Sequence, residues 1–262
     1  MISVVLATHN EASNIEKCLN SVKSFADEIM VVDGDSTDNT RELAKKMGAR
    51  VIKTTNKKNF HINKQLAMDN AKGQLVLQID ADEAVDEELA EFIKKTDKKI
   101  GKQKKFTQND TVAWWIKRHN LFMGRWLKKG GQYPDPVIRF YVNGKAGLPQ
   151  KDVHEQMWVD GQTGVADGHL WHWSNPTFAM YLHKFNTYTS FKAKQLLEAG
   201  LKVNPITFID YLLIKPTITF LKLYIRHKGF MDAWPGFVFA LFSGLHHLIA
   251  YLKFWELKRG EN

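Results

Sequence analysis

The sequence predicts an α/β protein: a mostly parallel sheet with helices on both faces, followed by amphipathic helices at the C-terminal end. Three observations carry this expectation. Short apolar, β-branched runs alternate with segments of helical period from residue 2 to residue 95. Polar clusters follow three of those runs, at Thr8 to Glu11, Asp33 to Asp38 and Asp80 to Glu83. Beyond residue 200 the chain turns apolar and aromatic. With 262 residues, 44% of them hydrophobic and 25% charged, the chain can bury a sizeable core, which excludes a disordered or fibrous class. A single cysteine, Cys18, excludes an intrachain disulfide framework and a four-cysteine zinc site.

Taken in order, Ile2 to Ala7 reads as a buried parallel strand, too short and too little basic for a secretory leader. Ser13 and Glu16 have capping-box spacing. Ile15, Cys18, Leu19 and Val22 behind them share one helical face, so Cys18 is expected in the core. Ile29 to Val32 is the second strand; the helix after it turns Leu43, Ala44 and Met47 inward and ends at Gly48. Val51 to Lys53 is a third strand, Ile62 to Ala71 a helix, and Leu75 to Ile79 a fourth strand that runs straight into Asp80-Ala81-Asp82-Glu83. In such sheets ligands bind beyond the carboxyl ends of the strands, where the three polar clusters lie.

A helix is expected at Asp86 to Lys95, then a solvated loop at Lys94 to Lys105, which holds seven lysines. Strand composition resumes at Val112 to Lys117 and Val137 to Val142, with hairpin turns at Asn143-Gly144 and Asp160-Gly161. Asn175-Pro176 caps a helix that ends near Gly200. Ile206 to Ile225 and Ala233 to Leu252 are hydrophobic, the second without Asp, Glu, Lys or Arg over 20 positions, and lysines and arginines flank both. Two interfacial helices on an anionic membrane surface are the expectation, with one true span, or packing on the domain or in a homodimer interface, as the alternatives. The expected division is therefore 1–200, comprising a nucleotide-binding half at 1–100 and an acceptor-binding half at 101–200, and a helical membrane-interface region at 201–262.

Two carboxylates one residue apart at a strand end, Asp80 and Asp82, suit a hard divalent cation, Mg²⁺ or Mn²⁺, shared with substrate phosphates. At this point Val4 to Glu11, Val31 to Thr40 and Ile79 to Glu83, in order and each at a strand end, resemble the family 2 glycosyltransferases of the GT-A fold. Arg118-His119-Asn120, Pro134-Asp135, Arg139-Phe140-Tyr141, Val153-His154-Glu155 and the segment Tyr181 to Tyr188 resemble the subgroup that adds a sugar, often glucose, to the lipopolysaccharide inner core.

The resemblance implies an inverting hexosyltransferase that takes its sugar from a nucleotide donor, UDP-glucose or a related UDP-hexose, to a glycolipid or saccharide acceptor. It implies that Thr8, Asn10, Glu11 and Asp33 line the nucleoside, that Lys64 faces the nucleotide, that Asp80 holds the nucleotide's ribose or joins the metal shell, and that Asp82 ligates the cation; His154 is a candidate to complete the metal shell or to position phosphate. Glu155 is implied as the catalytic base, with Asp135 as its alternate; His172, between two tryptophans, ranks below His154. Trp114, Trp115, Trp126 and Trp171 are candidates for stacking on sugar rings, or for the core. The implied location is cytoplasmic, peripheral on the inner face of the bacterial inner membrane. A nucleotidyltransferase on the same sheet is the alternative, but it would want a glycine-rich loop after the first strand, and Thr8 to Ser13 has no glycine. The net charge of +9 also fits a basic nucleic-acid- or anionic-lipid-binding protein without catalysis; the placement of the lysines favours lipid over nucleic acid as the partner.

Overall fold

The computed structural model describes residues 1–57, 59–101, 103, 105–149 and 156–260. Its elements in chain order are β1 (Ile2–Thr8), α1 (Ile15–Val22), β2 (Glu28–Asp33), α2 (Thr40–Lys46), β3 (Arg50–Lys53), α3 (Phe60–Asp69), β4 (Leu75–Gln78), β5 (Glu83–Val85), α4 (Glu87–Ile100), β6 (Thr111–Phe122), β7 (Arg125–Leu127), β8 (Val137–Val142), β9 (Ala146–Gly147), β10 (Trp158–Val159), β11 (Gln162–Asn175), α5 (Phe178–Glu198), α6 (Pro205–Ile209), α7 (Lys215–Leu221) and α8 (Ala233–Gly260). Turns of π-helix at Asp210–Ile214 and Lys222–Arg226 adjoin α7, and a short 3₁₀ turn at Gly229–Asp232 leads into α8.

The chain forms two compact units: residues 1–118 with 136–172, and residues 119–135 with 173–262. In the first, the sheet order begins β3-β2-β1-β4-β8, with β3, β2, β1 and β4 parallel and β8 antiparallel to β4. Alternation along the strands explains why their sequences are apolar without a break. Val4 and Leu6 of β1 pack with Ile15, Cys18 and Leu19 of α1 and Leu89 and Ile93 of α4, while Val5 packs on the other face with Ala67 and Met68 of α3. Both faces of the sheet are thus covered, as the parallel arrangement requires. Cys18 is fully buried in that core, where burial pushes its thiol pKa up. Trp114 is also core, against Phe92 and Phe140.

In the second unit, β7 pairs with the end of β6. Phe122, Leu127 and Val238 form one small core; Ala193, Leu196, Tyr251 and Phe254 form another between α5 and α8. Gly244 of α8 lies so close to the Pro216 carbonyl that an added Cβ would stand 2.6 Å from that oxygen, so α7 and α8 approach backbone to backbone.

Several local expectations are corrected. The Ser13 box does not form: Asn14 is the N-cap without a side-chain bond, because the Glu11 carbonyl accepts the amides of Asn14 and Ile15, both at 2.9 Å. The lysine-rich run is half helical, since α4 continues to Ile100, begun by Asp86 accepting from the Leu89 amide at 2.8 Å. Asn175 belongs to β11, its carbonyl accepting from the Met123 amide, so the cap of α5 passes to Thr177. Asn143-Gly144 and Asp160-Gly161 are turns, but β9 pairs with β10 and β8 with β4 and β6, so the expected hairpins are not the pairs formed among the described residues. Helix α8 also carries exposed Trp234, Leu252, Trp255 and Leu257, so it is apolar all round instead of amphipathic.

Candidate functional site

The parallel strands of the first unit end on one edge, and the loops that leave β1 and β2 there are laced together. Asn10 takes a left-handed conformation at φ 56°. Its amide donates to Ser36 Oγ at 2.9 Å, and its Oδ1 accepts from the Thr37 amide at 2.8 Å. The Glu11 amide donates to Thr40 Oγ1 at 2.8 Å, and the Ala12 amide to Asp38 Oδ2 at 3.1 Å. Gly34 donates to the Thr8 carbonyl at 2.8 Å; a Cβ there would meet Asn56 Cα and Asn63 Nδ2 at 3.2 Å and the Thr8 carbonyl oxygen at 3.3 Å, so a larger residue would have to push these neighbours aside.

Asp33 sits beneath this lacing, fully buried. Its carboxylate accepts from the Ser36 amide and Arg41 Nη1, each at 3.0 Å, from Ser36 Oγ at 2.5 Å and from Thr8 Oγ1 at 3.2 Å. Satisfied on both oxygens, it orders the turn and carries its charge next to the Arg41 guanidinium.

Lys64 and Asp80, both expected at the nucleotide, meet directly. Lys64 Nζ lies 2.5 Å from Asp80 Oδ1, and Arg139 Nη2 lies 2.6 Å from Asp80 Oδ2. Gln78 accepts from Arg139 and donates to Asp80 Oδ1 at 3.2 Å. Buried Glu83 accepts the Asp80 amide at 2.9 Å and faces Arg118 and Arg139. Burial alone would raise the Asp80 pKa; the charges of Arg139 and Lys64 override it and hold the carboxyl well below the usual range. Burial lowers Lys64 despite its partner. Asp80 is therefore a fixed anion, already gripped by two cations.

Asp82 has different company. His172, brought in by β11 pairing antiparallel with β5, so that His172 lies opposite Glu83, places Nε2 3.4 Å from Asp82 Oδ2. Two donors that share an octahedral ion with bonds of roughly 2.1 Å stand about 3 Å apart. The pair therefore fits a divalent cation that would complete its shell with water and phosphate oxygens. No group of three metal-ligating side chains forms among the described residues. His154 and Glu155 lie outside the described residues. Asp135 belongs to the second unit, where it accepts from Asn120 Nδ2 at 2.8 Å in a left-handed conformation. His172, which the sequence ranked below His154, is the imidazole that the structure places beside Asp82; its linear signal is the Trp-His-Trp alternation of a strand.

Comparison with known proteins gives the family. The family model described as Glycosyl transferase family 2 matches residues 3–156. The chain is 28% identical to an uncharacterized glycosyltransferase of Rickettsia typhi, over 98% of this chain and 87% of that one. It is also 28% identical to lipopolysaccharide core biosynthesis glycosyltransferase LpsC of Rhizobium meliloti, over 92% of this chain and 90% of that one. Among solved structures, the mannosyltransferase PcManGT from Pyrobaculum calidifontis, in complex with GDP-Man and Mn²⁺, superposes with a TM-score of 0.54 at 12% identity, covering 97% of this chain and 86% of that one. S. aureus TarS 1-349 in complex with UDP-GlcNAc gives 0.50 at 18%, covering 97% and 88%. At such identities these two speak to the fold. The nucleotidyltransferase and non-catalytic alternatives give way to the family match. With its mixed sheet, parallel through β3, β2, β1 and β4, and the three loops at the carboxyl edge of that parallel half, the chain belongs to glycosyl transferase family 2 and is a glycosyltransferase of the GT-A fold.

Proposed function

We propose that this glycosyltransferase moves a hexose from a UDP-sugar, with inversion, onto a lipopolysaccharide inner-core glycolipid, using Mn²⁺ or Mg²⁺. The observation that carries the reading is the pairing of Asp82 with His172 beside the cation-gripped Asp80. The family match over residues 3–156 and the similarity to LpsC of Rhizobium meliloti support the donor and acceptor classes.

In this reading Thr8, Asn10 and Glu11 line the nucleoside and Asp33 sets the turn that receives the base. Lys64 and Arg139 supply positive charge next to the diphosphate while keeping Asp80 ionised. Asp82 and His172 would hold the cation, with His154 a further candidate; when bound, the cation neutralises charge that develops on the departing nucleoside diphosphate. Glu155, or Asp135 in its place, accepts the proton of the acceptor hydroxyl as its oxygen bonds to the anomeric carbon and the bond to the phosphate oxygen breaks. The acceptor attacks the face opposite the leaving group, so the configuration inverts.

The test is calorimetric titration of the full chain with UDP- and GDP-hexoses, with Mn²⁺, with Mg²⁺ and with chelator, followed by transfer to purified core glycolipid. Tight binding of a UDP-sugar only in the presence of the divalent ion is expected. Donor binding indifferent to chelator would refute the cation assignment, and a preference for guanine nucleotides would refute the donor.

A further inference from the structure

The helical stretch from Pro205 to Arg226 is apolar on its outer side as well as its inner one. Its outward positions are Ile206, Ile209, Leu213, Ile218, Leu221 and Ile225, all exposed, Ile206 at 79% and Ile218 at 59%. Its inward positions pack Tyr211 on Tyr251 and Phe220 and Tyr224 on Phe237, with two polar contacts among them: Thr207 Oγ1 meets Tyr251 OH at 3.3 Å, and Thr219 Oγ1 meets His247 Nε2 at 3.1 Å. A helix on a protein that faces only water carries polar residues on its outer side. The two π turns each take up an extra residue, which keeps the outward apolar positions in line along one side.

One end of this stripe is basic. Exposed Lys222, Arg226 and Lys228 sit beside exposed Arg125, Lys128 and Lys129, the two segments being joined by the Gly130 amide donating to the His227 carbonyl at 3.0 Å and by Arg125 donating to the Met231 carbonyl at 3.1 Å. Buried Asp232 accepts the amides of Lys128 and Lys129 and so fixes the join without placing an acid on the surface. Phe230, Met231 and Trp234, the last 66% exposed, stand among these cations.

Residues 229–260 are long and apolar enough to cross a bilayer by length and composition. Helix α8 is nonetheless held by protein toward both ends: Val238 packs with Phe122 and Leu127, and Tyr251 and Phe254 pack with Ala193 and Leu196. It cannot keep these neighbours and stand alone in lipid.

From these observations we infer that the outer face of residues 205–234 docks onto an anionic phospholipid leaflet, the isoleucine and leucine side chains entering the interface and the basic cluster meeting the headgroups, with α8 as the supporting layer instead of a span. Apolar side chains and lysines on one surface are complementary to such a leaflet in both of its properties. The surface extends the glycolipid-acceptor reading and rests on it for its purpose, while its test needs no sugar donor.

The test is flotation of the full chain with phosphatidylcholine vesicles, with and without phosphatidylglycerol. Binding is expected to the anionic vesicles and to weaken with salt. Replacing Lys129, Lys222 and Arg226 together by alanine should cost about a hundredfold in partitioning, at roughly fivefold per basic residue. Ile218→Asp with Leu221→Asp should abolish it, with circular dichroism and UDP binding unchanged. Should that variant fail to fold, brominated lipid must still quench the wild-type fluorescence more than that of Trp234→Phe. Wild-type protein that binds UDP yet ignores anionic vesicles overturns the inference. So does a dimer that the double aspartate variant dissolves while vesicles are ignored, which would assign the face to a second copy. Loss of donor binding with vesicle binding intact would instead count against the catalytic reading alone.

Discussion

Replacing Lys64 by methionine isolates one arm of the buried charge cluster. The side chain is of similar length, so the change removes an ammonium 2.5 Å from Asp80 Oδ1 and little packing. At an effective dielectric near 20, two unit charges at that distance attract by about 7 kcal/mol. Withdrawing an ammonium from water costs several kcal/mol, so most of that attraction is offset. Removing one partner of a buried pair costs about 3–5 kcal/mol when the other is stranded. Asp80 is not stranded, because Arg139 stays at 2.6 Å and Gln78 at 3.2 Å. A loss of about 2–3 kcal/mol at neutral pH is the expected result.

The pH dependence follows from the depressed Asp80 pKa. A carboxyl held low in the folded state adds stability above its unfolded pKa of about 3.9 and loses it as pH falls through the folded value. The variant raises the folded value toward the ordinary one, so the difference between the two proteins should narrow as the medium is acidified below about pH 4. Urea unfolding at neutral and acid pH measures both quantities. A stability change under about 0.5 kcal/mol at pH 7, the range of an ordinary surface substitution, would refute the cluster as a structural element.

Three further outcomes are expected. Asp82→Asn and His172→Ala should each weaken manganese-dependent UDP binding by at least about tenfold while leaving thermal stability within about 1 kcal/mol; calorimetry with and without chelator reads this, and an unchanged affinity in His172→Ala would remove the imidazole from the cation's shell. Glu155→Gln should retain donor binding and lose turnover by about 10²–10⁴-fold in a product-release assay; a normal rate would redirect attention to Asp135→Asn. Gly168→Ala should lower stability by about 3 kcal/mol or more in thermal denaturation, because its φ of 76° disfavours a side chain and the new Cβ would stand 2.2 Å from the Leu89 amide at the start of α4; a neutral result would mean that the capped helix start can move aside.

The parallel half of the fold was legible because its determinants are local. The β-branched runs of β1, β2 and β4 and the helical spacing of Ile15, Cys18, Leu19 and Val22 each report their own environment, and the acidic clusters at strand ends follow from chain order alone. The pairing of Lys64 with Asp80 was half legible: both residues were expected at the nucleotide, and their mutual contact was not. What stayed hidden depends on pairing across long sequence distances. Nothing in Trp171-His172-Trp173 announces that β11 will lie along β5 and carry the imidazole to Asp82, ninety positions upstream. The failed capping box at Ser13 shows the same limit at short range, since a carbonyl from Glu11 does the work that the hydroxyl was expected to do. Composition marked the C-terminal helices as apolar, but which side of each would face outward was decided by α5, Phe122 and Leu127, which supply the protein neighbours of α8.

Under the proposed donor-site reading, the lacing of Asn10, Ser36, Thr37 and Thr40 across two loops bears on the pace of the reaction cycle. These bonds are made by the polypeptide for itself, and the left-handed Asn10 is kept in place by two of them. A cradle ordered during folding has little entropy left to surrender when a donor arrives, and it does not collapse when the spent diphosphate departs. Successive donors then meet the same rigid template, and association should be governed by diffusion and charge more than by any slow rearrangement of these loops.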